Sequence, residues 1–108
     1  MINNRKEVKE MVKHMIVWKF KEEITDKAAQ AEKIKVALED LVGRIDGLIE
    51  MKIITEKLPS SSGDLMMDST FSDYAALEAY QAHPLHKEVA NCLVRPSMSA
   101  RLSLDYEV

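Results

Sequence analysis

The chain is 108 residues long, with 15 basic and 18 acidic residues, a net charge of −3 and an isoelectric point near 5.6. That length accommodates one domain with one modest core, and a mildly acidic balance without a basic block excludes the usual nucleic-acid binders. A single cysteine, Cys92, rules out an intrachain disulfide and cysteine-pair metal sites. With no apolar run near the roughly 18 residues that span a bilayer, and no apolar leader, no membrane association is expected and a cytoplasmic location is.

Residues 1–10 are polar and rich in lysine and glutamate, and are expected to form a disordered extension or a loose helix, which leaves 11–108 as the domain. Met11 opens a strand-like run to Phe20, in which His14, Ile16, Trp18 and Phe20 share one side and Met15 and Val17 the other. A strand apolar on both sides should be covered on both. Thr25 is the expected N-cap of an amphipathic helix whose apolar positions are Ile34, Leu38, Leu41, Val42 and Ile45, ended in stages by Gly43 and Gly47. Leu48 to Lys57 alternates again, with Ile49, Met51 and Ile53 on one face, and residues 59–63 form a turn cluster before a third strand over 64–71.

Ser72 and Asp73 cap a second helix with Tyr74, Leu77 and Tyr80 on its inner face. Pro84 disfavours helix at His83 and begins a further helical stretch to about Val94, where Val89 and Leu93 point inward and Cys92 is a small buried thiol. Pro96 stops it, and Met98 to Val108 alternates as a closing strand. The order β-α-β-β-α-β in one short domain predicts an α+β, ferredoxin-like fold with an antiparallel sheet and both helices on one face. The other face then needs cover, and a second copy related by a two-fold axis supplies it, giving a homodimer through the sheet face. Asp68, on that face, is expected to pair with Lys52 or with the partner chain.

The chemistry-bearing residues are few. Tyr80, His83 and His86 fall within seven residues, and His14 is the remaining histidine. Neutral imidazole gives and takes protons near pH 7, so a fold that gathers these groups around one cavity has an acid/base site. Each also has a plain structural reading: His83 capping the helix that follows it, His14 satisfied in the core, Tyr80 resting its hydroxyl on a backbone carbonyl. The three histidines could instead hold a metal with an open fourth position, but nothing in their spacing aims the ring nitrogens at one ion, so neither a metal nor a cofactor is expected. The seven methionines read as soft core filler.

Three segments, Val12 to Phe20, Tyr80 to His86, and Leu104-Asp105-Tyr106, together resemble the stress-responsive dimeric α/β barrel (Dabb) family. The resemblance implies ferredoxin-like monomers paired back to back, with a small-molecule pocket between sheet and helices in each. Olivetolic acid cyclases, a plant branch of the family, close a linear polyketide by aldol condensation. Their catalytic tyrosine, central histidine, strand histidine and orienting aspartate fall on Tyr80, His86, His14 and Asp105. By that likeness His86, oriented by Asp105, removes a proton beside a carbonyl while Tyr80 and His14 hydrogen-bond the enolate oxygen.

Strand parity adds Ile16, Trp18, Met51, Met67 and Ser69 to the pocket side, and a register set by Asp105 adds Ser103 and Arg101, with His83 as a further candidate for substrate contact. Arg101 departs from a polyketide site. A guanidinium there suits a carboxylate or phosphate on a small ligand. Two other readings remain: a non-catalytic ligand-binding or interaction module, and a cofactor-free oxygenase, supported by Trp18 and the shared fold.

Overall fold

A computed structural model describes residues 10–108, so the extension expected over 1–10 lies, apart from Glu10, outside the described residues. Strand β1 (Val12–Phe20) leads through helix α1 (Lys27–Glu39) to β2 (Leu48–Ile54), which turns into β3 (Leu65–Phe71). Helix α2 (Tyr74–Ala82) and helix α3 (Pro84–Val89) follow, the latter widening into a π-helical turn at Ala90–Val94 and closing in a 3-10 turn at Arg95–Ser97 before β4 (Met98–Glu107). The sheet order is β2-β3-β1-β4, and every neighbouring pair is antiparallel. Thus β1 and β2 run parallel with β3 between them, the split β-α-β arrangement of the ferredoxin-like fold.

Alternation in β1 decides which side faces the helices. Val12, His14, Ile16, Trp18 and Phe20 are all buried, and with Met67 and Phe71 of β3 they pack beneath Ile34, Leu38, Leu77 and Tyr80. Asp26, not Thr25, caps α1, its carboxylate accepting the Ala29 amide at 3.0 Å. The helix ends at Glu39, so Leu41 and Ile45 turn in while Val42 leaves the apolar stripe. Gly47 has φ +86°, and a Cβ there would lie 2.5 Å from the Ala76 Cβ, so only glycine lets β2 begin against α2.

Three inward assignments are corrected. Leu48 faces Phe71 and Glu50 faces Thr70, so Ile49 is the extra residue of a β-bulge and is thrown to the surface instead of sharing a side with Met51 and Ile53. Tyr74 is exposed because it begins α2 ahead of the packed turn. Cys92 is exposed because the wider π turn brings Ala90 and Val94 inward and carries position 92 outward.

The opposite sheet face is open in the single chain. Leu102 is 76% and Leu104 66% exposed, beside Val17 and Tyr106 on the same side. Asp68 on this face pairs with Lys13 at 2.6 Å, not with Lys52, and Lys13 also donates to the Thr70 hydroxyl at 2.9 Å. Asp68 raises the Lys13 pKa, so Lys13 stays charged beside it, although the buried Asp68 Oδ1 has no well-aligned hydrogen bond among the described residues. Among the described residues, no helix is long and apolar enough to cross a membrane.

Candidate functional site

Between the helices and the β1–β4 half of the sheet lies a cavity of about 340 Å³. The sheet contributes His14, Ile16, Trp18 and Met67; the helices contribute Leu38, Tyr80, Gln81, His86, Ala90 and Val94. Arg95, Met98, Ser99, Ala100 and Arg101 complete its wall.

His14 owes its place to strand register. It stands directly opposite Asp105, and its Nδ1 lies 2.5 Å from Asp105 Oδ1, while its backbone carbonyl accepts the buried Ser69 hydroxyl at 2.6 Å. With the Nδ1 proton donated to the carboxylate, a neutral His14 carries its lone pair on Nε2. Asp105 does not line the cavity; it holds the imidazole from behind. This corrects the expectation that Asp105 orients His86. The cross-strand pairing of β1 and β4 places it on His14 instead, and that register was the signal that would have found it.

Tyr80 is almost wholly buried on the inner face of α2, its ring 4.9 Å from Phe71 and 4.2 Å from the His86 ring. Burial pushes the phenol pKa well above its ordinary value of 10.0, so Tyr80 stays protonated and can only present a neutral O–H. His86 sits in the first turn of α3, and its Nδ1 is buried without a partner among the described residues. Burial lowers the His86 pKa most, the Gln81 carbonyl opposes this, and repulsion from a protonated His14 and from Arg95 and Arg101 lowers it further. His86 is therefore a neutral imidazole at pH 7.

This shift has a consequence for folding. A histidine whose folded pKa lies below its unfolded value of 6.5 favours the fold fully above that pH and loses the contribution as pH falls through the folded value. Thermal melts at pH 8 and pH 5.5 should show a drop in Tm for the wild type that is visibly smaller in His86→Gln; parallel drops would remove His86 from the acid limb.

Four expected pocket residues are elsewhere: Ser69 is buried within the sheet with its hydroxyl on the His14 carbonyl, and Ser103 is exposed on β4. Met51 is buried in the core on β2, and His83 turns its Nδ1 to accept the Leu85 amide at 3.1 Å as the cap of α3, so neither lines the cavity. Because His83 is committed to the cap, the three histidines do not converge, and among the described residues no group of three metal-binding side chains forms. Sequence reasoning missed Arg95, which reaches the cavity only because the π and 3-10 turns follow α3; no apolar period reports that change of phase.

The pattern of the stress-responsive A/B barrel domain family, Dabb, matches residues 12–108. The chain belongs to the Dabb family. Solved structures with the same fold include a dimeric ferredoxin-like protein of unknown function from Bacteroides fragilis NCTC 9343, at 23% identity over 91% of this chain and 96% of that one, with a TM-score of 0.81. A hydroxynitrile lyase from Passiflora edulis aligns at 21% identity over 92% and 94% of the two chains, TM-score 0.77. A Dabb family protein from Mesorhizobium loti aligns at 20% over 91% and 96%, TM-score 0.73. These likenesses carry the fold, and no curated protein matches this Dabb chain.

Proposed function

We propose that this Dabb chain is a homodimer packed through the sheet face that carries Leu102, Leu104 and Tyr106, and that each protomer's cavity moves a proton at a carbon beside a carbonyl. The dimeric ferredoxin-like proteins that share its fold support the first part. The His14–Asp105 contact behind a cavity that also holds a protonated phenol carries the second.

In this reading His14 is the base, because Asp105 offsets the charge of the imidazolium that forms, whereas a protonated His86 would face Arg95 and Arg101. The C–H proton passes to His14 Nε2, the bonding electrons move to the carbonyl oxygen, and the Tyr80 O–H stabilises the enolate. His86 stays neutral, and its open Nδ1 can accept a hydrogen bond from a substrate hydroxyl. Return of the proton, or attack of the enolate on a second carbonyl, completes an isomerisation or an aldol step. That a hydroxynitrile lyase has this fold supports an enzyme in the same architecture.

The test is exchange of enolisable hydrogens for deuterium, followed by NMR, in acetophenone and phenylpyruvate. The protein should accelerate exchange of at least one of them above buffer containing equimolar imidazole, and Tyr80→Phe should reduce that acceleration about 100-fold, the worth of one oxyanion donor. If either compound binds and neither exchanges faster, the cavity is a binding site without this chemistry.

A further inference from the structure

The cavity's electrostatics run against those of the chain. The protein carries a net charge of −3, yet Arg95, Arg101, His14 and His86 all line the cavity and no aspartate or glutamate is among its described lining residues. The nearby carboxylate of Asp105 is taken by His14. Arg95 has only a neutral partner, the Asn91 side-chain oxygen at 2.8 Å, and Arg101 makes no hydrogen bond or ion pair among the described residues. Both arginines are exposed at the cavity wall, so water serves them in the single chain, but together with the buried, unpartnered Nδ1 of His86 they give the cavity a cationic rim with no carboxylate on it, which favours an anionic ligand.

Register gives the spacing. Arg101 is opposite Trp18 and Asp105 is opposite His14, four residues along the same strand pair, which separates the two ends by about 14 Å at roughly 3.4 Å per residue. Ile16, Trp18 and Met67 provide an apolar stretch between them. The volume corresponds to about eleven waters at roughly 30 Å³ each.

Resting on the cavity reading above, we propose that the ligand is a small organic monocarboxylate, its carboxylate held by Arg101 and Arg95 at one end and its carbonyl carbon presented to His14 and Tyr80 at the other. An apolar or aromatic body fills the space over Trp18. The bidentate geometry of a guanidinium on a carboxylate fixes which end enters where, so the arginines set both selectivity and orientation.

Trp18 is the chain's only tryptophan and lines the cavity, so its fluorescence reports occupancy. The paired probes are 3-phenylpropanoate and its neutral isostere 3-phenylpropanamide, with inorganic phosphate as a third arm. The acid should bind at least about 10-fold more tightly than the amide, and Arg101→Gln should weaken the acid by about 10- to 100-fold while leaving the amide unchanged. Equal binding of acid and amide, an unchanged ratio in the variant, or tighter binding of phosphate than of the acid would each overturn the carboxylate site. In those three cases proton exchange on acetophenone, a neutral ketone, still decides the catalytic reading separately. Absence of binding by all three probes, with no exchange, would remove both.

Discussion

Lysine at both Leu102 and Leu104 is expected to leave a folded monomer with half the solution mass of the wild type. The argument starts from what these leucines do within one protomer, which is little: they are 76% and 66% exposed, on the sheet face away from the helices. Replacing them removes no core contact, so the helix-facing side built on Ile16, Trp18 and Phe71 should survive. In a two-fold dimer each position occurs twice, and a leucine taken from water contributes about 1.5–3 kcal/mol. Loss of even half of that total, with four lysine charges added at the contact, is worth at least about 1,000-fold in the dimer constant. The Lys13–Asp68 pair on the same face does not oppose association, since its charges are matched within the protomer. Sedimentation at micromolar concentration, with circular dichroism to verify folding, checks the result. A wild type that sediments as a monomer, or a variant that remains dimeric, would rule out pairing through this face.

The same double-sided reading of β1 explains why so much of the architecture was legible from the residues. Burial on a sheet has a period of two, so His14, Ile16, Trp18 and Phe20 declared one face and Val17 the other without any tertiary information. The positive-φ turns at Gly43 and Gly47 and the helix break at Pro84 are likewise local, because they follow from backbone sterics at single residues, although α1 itself ends sooner, at Glu39. What did not show are the places where the period slips. The bulge at Ile49 and the π turn at Ala90–Val94 each insert a residue into a repeat, so Ile49 and Cys92 turn outward although Met51 and Ile53 stay inward. The candidate site suffers most from this, since Arg95 follows the π turn directly. Asp105 was given the wrong partner, because a strand's own alternation fixes its face while only its pairing register with β1 fixes its neighbour.

That neighbour leads to the sharpest expected effect on chemistry. Asp105→Asn should lower α-proton exchange by about 100- to 10,000-fold at neutral pH, within the range associated with a positioned general base. An asparagine has nearly the same shape, but it carries no charge to offset an imidazolium, and its amide can donate to Nδ1, which would put the histidine's proton on Nε2 and leave no lone pair for substrate. The fold should tolerate the change because position 105 is on the edge strand and its side chain is about one-third exposed. Binding of 3-phenylpropanoate should change little, since Asp105 lies outside the cavity wall, so the loss should appear in kcat far more than in KM. This split separates a positioning role from a merely structural one, which would weaken both together. Retention of wild-type exchange by Asp105→Asn would take His14 out of the base role, leaving the unpartnered Nδ1 of the neutral His86 as the atom able to accept the proton.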